Sequence, residues 1–370
     1  MKKSKIFAAY LPQYHEIKEN NEFWGEGFTD WVGVKKAEPL FENHYQPKVP
    51  LNNNYYDLSK VEVLKWQAEL ARKYLIDGFN IYHYWFKGGH KVLETPAENL
   101  LNNPEIDIEY FFSWDNTSWV RTWGNINGND WAPKFDGNKN NGSKILLEFE
   151  YGNEEDWKKH FDYLLPFFKD KRYLKINNKP FFCMMRTSED DKLRAMHDFW
   201  NNEAKKNGFD GIIMYTTVKM FNNKNILDGQ FTYEPRYSAW GKWEAICVRL
   251  NKYLHLNSNK NGYRYDYESV WKNIIRNAKK NADKDIFYGS VVNYDDTARR
   301  GEKAGILKNV SPDIFEKYFS MLYELSCKND KDVLFITAWN EWGEGAYLEP
   351  DEVTGYKYFE AIKRVKEGKK

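Results

Sequence analysis

Glu341 and Glu344 stand three residues apart in the run Trp339-Asn340-Glu341-Trp342-Gly343-Glu344-Gly345, directly after the apolar stretch Val333-Leu334-Phe335-Ile336. Breaking an acetal bond needs one carboxylic acid to protonate the leaving oxygen and a second carboxylate as base or nucleophile. Two acids at this spacing share a face if the segment makes a helical turn, and like charges held close push one of the two pKa values upward. Indole faces stack on sugar rings, so Trp339, Trp342 and Asn340 beside the acids read as substrate-binding. The competing reading is a helix N-terminus whose acids complement the dipole, which leaves both tryptophans and the asparagine unexplained.

Other polar aromatic clusters fall where elements end. Apolar runs at 6–11, 78–85, 109–114, 180–186, 211–215, 229–232, 286–292 and 333–339 read as strands. Helical patterns cover 61–74, 154–168, 192–207, 267–280, 312–328 and 355–367, the fifth opened by Ser311-Pro312 as N-cap and first-turn proline. About eight strand–helix repeats in 370 residues predict an α/β fold, a single (β/α)8 barrel occupying residues 1–370. A doubly wound sheet competes, but no GxGxxG follows any strand. Long polar insertions at 115–143 and 241–266 interrupt the alternation, the first expected to wall a cleft.

In a parallel barrel, the segments after the strands converge on one opening. That places Tyr10, Gln13, Tyr14 and Trp24 after the first strand, and His83, Tyr84 and Trp85 at the end of the second. Trp114, Asn116, Trp119 and Arg121 follow the third, and Tyr294, Asp295 and Arg300 the seventh. All are candidate substrate-binding residues, each with an alternative. His83 is either a hydrogen-bonded core histidine or a ligand, and Tyr14 and Trp24 either cap the barrel or touch substrate. Trp114, Trp119 and Trp123 fit a buried turn or, with Asn116 and Arg121, a polar cleft. Arg299 and Arg300 read as surface ion pairs or as anion ligands. Asp295-Asp296 lacks the further oxygen ligands a metal needs, so no metal and no cofactor is called for.

Composition narrows the class. The 42% hydrophobic content supplies a core, and a net charge of +1 gives no electrostatic case for nucleic acid or an anionic membrane. Aromatic residues make up 18%, including 15 Trp and 26 Tyr, more than interiors need and consistent with a carbohydrate cleft or with dense packing. Cys183, Cys247 and Cys327 are isolated, without disulfide or zinc spacing. The N-terminal apolar run is too short for a signal segment, and no stretch is long enough to span a membrane. A soluble, cytoplasmic protein is expected; its oligomeric state is not legible.

Tyr10-Leu11-Pro12-Gln13-Tyr14-His15, Phe23-Trp24-Gly25-Glu26-Gly27-Phe28-Thr29, His44-Tyr45-Gln46-Pro47, Tyr82-His83-Tyr84-Trp85-Phe86 and Trp339-Asn340-Glu341-Trp342 together resemble the WbsX-type glycosyltransferase family. That family is related to glycoside hydrolase family 99, the endo-α-mannosidase type. The resemblance implies a (β/α)8 barrel acting on polysaccharide, often in surface-polysaccharide synthesis. It implies that Glu341 deprotonates a sugar 2-hydroxyl toward an epoxide-like intermediate while Glu344 is the general acid/base. The mannosidase branch resembles Trp-Asn-Glu-Trp-His-Glu-Gly, where this chain has Gly343. Trp114-Asp115-Asn116-Thr117-Ser118-Trp119 also departs from the relatives' Trp-Ala-Asn-Glu-Asn-Trp, implying a changed subsite. The expected function is a retaining carbohydrate-active enzyme that cleaves or transfers glycosyl units on a surface polysaccharide. The alternatives are a WbsX-type transferase in O-antigen (lipopolysaccharide) or capsule synthesis, and a catalytically silent glycan-binding barrel.

Overall fold

The computed structural model describes residues 2–121, 144–186, 190–219, 225–239 and 263–368. Eight strands form its frame: β1 (Lys5–Tyr10), β2 (Gly78–His83), β3 (Glu109–Trp114), β4 (Lys179–Met184), β5 (Ile213–Thr217), β6 (Gly229–Phe231), β7 (Ile286–Val291) and β8 (Val333–Thr337). They pair in chain order, and β8 returns to β1, so the sheet closes into the expected (β/α)8 barrel. Nearly every strand residue is buried, as a parallel sheet covered on both faces requires; this is why the strands read as apolar runs rather than alternations.

The chain divides into two compact units: 1–8, 30–55 and 232–370 in the first, 9–29 and 56–231 in the second. In the first, β7 and β8 pair in parallel with Tyr288 opposite Leu334, and β8 pairs with β1 with Lys5 opposite Val333. In the second, β2 pairs with β3 (Gly78 opposite Glu109), β3 with β4 (Phe112 opposite Phe182) and β4 with β5 (Phe181 opposite Ile213).

All but one of the covering helices match their sequence signals. They are α1 (Val61–Lys73), α2 (Thr95–Asn102), α3 (Glu154–Lys169), α4 (Asp190–Lys206), α5 (Tyr267–Lys280), α6 (Pro312–Lys328) and α7 (Lys357–Glu367). α6 starts as expected, with Ser311 Oγ accepting the Ile314 N–H at 3.2 Å and Pro312 in the first turn. α3 carries a full capping box: the Asn153 side chain accepts from Glu155 and Asp156 N–H, and the Asp156 carboxylate accepts from the Asn153 N–H at 2.9 Å. Asn153→Ala should therefore lower stability by about 1 kcal/mol with no change in turnover, read by thermal melting.

Periodicity gave no sign of α2 or of the short helices Lys18–Trp24, Asp30–Lys35 and Thr297–Arg300, because a turn or two carries too few apolar repeats. The insertion 115–143 begins with a strand, Trp119–Arg121, paired antiparallel with Lys144–Leu147. Trp119 is therefore in a strand and not in a buried helical turn. Trp123, most of that insertion, Cys247 and all of 241–266 but its last four residues lie outside the described residues, as does the Arg121 side chain. Those four, Tyr263–Asp266, form a strand beside Gly305–Lys308. Cys183 and Cys327 are buried free thiols. Among the described residues, no helix is long and apolar enough to cross a membrane.

Candidate active site

β8 delivers Trp339 to Gly345 into a tight hairpin. Asn340 lies opposite Tyr347 and Glu341 opposite Ala346, with Trp342–Glu344 forming a single 3₁₀ turn between them. Gly345 closes the turn at φ +57°, where a Cβ would also meet the Asp295 carbonyl oxygen at 2.9 Å, so only glycine fits. The turn brings both carboxylates to one cation. Arg299 Nη1 donates to Glu344 Oε1 at 2.8 Å, and Nη2 donates to Glu341 Oε2 at 3.1 Å and to Asp30 Oδ2 at 3.2 Å. One planar guanidinium thus holds both carboxyl groups.

The pair is asymmetric. Glu341 is buried, whereas the Glu344 side chain keeps 24% of its surface. Burial pushes the Glu341 carboxyl up to about 8; the Arg299 charge opposes this, and Glu344 and Asp30 add to it.

The loop after β7 supports the turn. The Asp295 N–H donates to the Glu344 carbonyl at 2.7 Å, tying the two loops main chain to main chain. The Asp295 carboxylate is spent on its own surroundings: it accepts from His44 Nε2 at 2.9 Å, Gln46 Nε2 at 2.8 Å and Thr297 Oγ1 at 2.5 Å, with Lys48 Nζ at 3.6 Å. His44 Nδ1 accepts the Leu40 N–H, so Nε2 carries the proton it gives to Asp295. Burial raises the Asp295 carboxyl, but the His44 hydrogen bond and the Lys48 charge outweigh it and hold it below the usual range. The adjacent Asp296 goes the other way, pushed up to about 7 by burial against the opposing charge of Arg300. It takes Tyr294 Oη at 3.1 Å, the Gly305 N–H at 2.6 Å and Arg300 Nε at 2.8 Å.

The tryptophans of the run do something other than expected. Trp339 is fully buried and Trp342 is 1% exposed. Their indole N–H groups both donate to Glu349, at 2.9 and 2.7 Å. The Trp342 ring stacks on Tyr347 at 3.7 Å between centroids, and Trp31 leans on it at 5.5 Å. No face is open to a sugar, so these rings anchor the hairpin, and Asn340 is equally closed.

Several residues expected to touch substrate are likewise core in the second unit. Tyr10 donates to Gln67 of α1 at 2.7 Å, which turns it toward the helix layer. Tyr14 packs edge-on against Tyr56, Tyr84 against Trp119, and Gln13 is buried. His83 bonds His160 ring to ring at 2.7 Å, and burial lowers it to about 3, making it the neutral core histidine of the two readings. Trp85 stacks on His160 at 4.3 Å, and Trp114 meets the same ring edge-on while donating to the Trp85 carbonyl. Asn116 donates to Tyr151 Oη and the Arg186 carbonyl, and its own oxygen accepts the Arg186 N–H. Trp24, half-buried, and Tyr294 keep open surface. Much of the aromatic excess is therefore packing.

Arg299, read as a surface ion pair or an anion ligand, is the cation at the glutamates, while its neighbour Arg300 pairs with the buried Asp296. Asp30 is not singled out by the sequence, and Glu349, like Glu94, reads there only as a further acid near this face without special spacing. Asp30 directly follows the Phe23–Thr29 motif, which was the one available signal. Among the described residues no three His, Cys, Asp or Glu side chains are placed to hold a metal.

The chain matches the family model described as "Glycosyltransferase WbsX" over residues 6–362. It is 28% identical over 368 residues to "Uncharacterized protein WxcX" of Xanthomonas campestris pv. campestris strain B100, covering 97% of this chain and 49% of WxcX. The chain thus spans about half the length of the curated relatives it matches. Among solved structures it is similar to a "Glycoside hydrolase-like protein" (TM-score 0.61, 10% identity, 99% and 94% of the two chains). It is also similar to the family 99 endo-alpha-mannosidase from Bacteroides thetaiotaomicron (TM-score 0.54, 13% identity, 98% and 96%). At such identities these likenesses concern the barrel alone. The family match extends over almost the whole of the chain, which accordingly belongs to the WbsX glycosyltransferase family, a family of carbohydrate-active enzymes.

Proposed function

We propose that this chain cleaves or transfers glycosyl units on a surface polysaccharide, with retention, through Glu341 and Glu344. The observation that carries the reading is the turn itself: two carboxyl groups at the end of a barrel strand share one guanidinium, one buried and one partly open. Following the resemblance, Glu344 gives its proton to the glycosidic oxygen as that C–O bond breaks. Glu341 takes the proton of the 2-hydroxyl, whose oxygen closes on the anomeric carbon. Water or an acceptor hydroxyl then opens the strained ring, giving its proton to Glu344, and Glu341 returns its proton to the 2-oxygen. A carboxylate pushed up to about 8 is a stronger base than an ordinary one, which suits a weakly acidic hydroxyl. The step requires Glu341 ionised while Glu344 still holds its proton, so kcat/KM should follow a bell-shaped pH profile with one limb near 8.

The family description favours the transferase form of the same chemistry; the setting we infer for it, following the resemblance, is O-antigen or capsular polysaccharide synthesis, with another glycan as acceptor. The deciding experiment incubates wild type and Glu344→Gln with α-linked oligosaccharides and purified surface polysaccharides, products read by mass spectrometry. Wild type should give a cleaved or extended product, and Glu344→Gln should lose about 10²–10⁴-fold in rate with an unchanged circular dichroism spectrum. Binding without any product from wild type would instead identify a silent glycan-binding barrel.

A further inference from the structure

We propose that Arg299 is the positioning residue of the carboxylate pair, and that residue 343 is glycine because Arg299 and its anchor Asp30 fill the space a side chain there would need. Four observations carry this. The guanidinium splits its two terminal nitrogens between the acids, Nη1 on Glu344 and Nη2 on Glu341, with Nη2 also held by Asp30. Arg299, Glu341 and Asp30 are largely buried, their side chains 12%, 4% and 9% exposed, so the arrangement is sheltered from screening by solvent. A Cβ at 343 would stand 2.7 Å from Asp30 Oδ2 and 2.8 Å from Arg299 Nε, closer than real Cβ atoms come. Both atoms belong to side chains pinned by ion pairs, so neither yields cheaply. Finally, Gly343 is not among the glycines with positive φ, so the backbone there is one that other residues adopt. The glycine answers to the arginine and not to the turn.

The consequence is a division of labour. Glu341 and Glu344 come from one short turn whose side chains, unrestrained, would repel one another; the planar fork of Arg299 sets their spacing and Asp30 sets the angle of the fork. A lysine is a point charge and cannot serve two acids in fixed directions. The inference rests on reading Glu341 and Glu344 as the reacting pair, and its test is independent of turnover.

That test is a double-mutant cycle in thermal unfolding on the full chain, with Gly343→Ala, Arg299→Ala and the two combined. Gly343→Ala should lower the melting temperature in the wild-type background, and at least half of that loss should vanish once Arg299 is truncated. An equal loss in both backgrounds would mean that the glycine serves the backbone, and the proposal fails. Should Arg299→Ala not fold, Gly343→Ala is read by spectroscopy instead. Isotope-edited infrared spectroscopy of 13C-glutamate-labelled protein, with Glu341→Gln to identify the band, should show the Glu341 carboxyl titrating higher by about one pH unit as the cation is displaced. An unmoved titration overturns the proposal. Coupling in a chain that processes no glycan would sink the enzymatic reading and leave the positioning role standing.

Discussion

Glu341→Gln should cut turnover by orders of magnitude and at the same time raise the melting temperature. The two effects share one cause. The Glu341 carboxyl is fully buried, and its pKa is raised from 4.5 to about 8 by burial, the charges of Glu344 and Asp30 adding to the rise and that of Arg299 opposing it. In the unfolded chain it ionises at its ordinary value, so between 4.5 and about 8 the folded state holds a proton that the unfolded state has lost. Stability therefore falls as pH rises through that window. Glutamine keeps the shape, removes the charge and removes this dependence. The expected gain is on the order of 1 kcal/mol, or roughly 2 °C, at pH 8, shrinking toward pH 5. The rate should drop by about 10²–10⁴-fold, because an amide cannot accept the hydroxyl proton. Melting curves at pH 5, 6.5 and 8 for both proteins check this; parallel curves would mean that Glu341 ionises normally in the folded chain. Asp296 and Glu234, raised to about 7 and 8, push stability in the same direction, so the wild-type slope should persist in part after the substitution.

The second large effect is structural. Glu349→Ala strands two buried indole N–H groups, those of Trp339 and Trp342, which flank Glu341. Each unpaired donor costs about 1–3 kcal/mol, so a total of roughly 2–6 kcal/mol is expected. Glu349→Gln keeps one acceptor oxygen and should lose about half as much. Thermal melting gives the energies, and tryptophan fluorescence, red-shifted as the indoles gain water, reports the hairpin loosening. Should Glu349→Ala melt with the wild type, the double clamp contributes nothing to stability. The turnover of Glu349→Gln separates anchoring from chemistry: a partly anchored hairpin keeps measurable activity, unlike Glu341→Gln.

The frame of this protein was readable because burial on both faces writes strands as plain apolar runs. β3, α5 and α6 run from Glu109 to Trp114, Tyr267 to Lys280 and Pro312 to Lys328, each as expected from the sequence, and the other expected elements differ by one or two residues at their ends. The site was legible in its acids and not in its supports. An indole in a sequence advertises its face, but whether that face is open depends on a partner for its N–H, and Glu349 lies outside the run it anchors. Arg299 and Arg300 are indistinguishable by type; in the short helix Thr297–Arg300 they point apart, one to Glu341 and Glu344, the other to Asp296. The same limit applies to His83, whose partner His160 arrives from α3, 77 residues away.

The bond between the Asp295 N–H and the Glu344 carbonyl has a consequence for how such a protein can change over generations. A tie made by main-chain atoms is indifferent to what the side chains at its two ends are. Substitutions at position 344 can exchange one reactive group for another, or abandon reactivity altogether, without unfastening the hairpin from the loop after β7. The shape of the site is thus inherited separately from its chemistry, which leaves descendants free to experiment with the second while keeping the first.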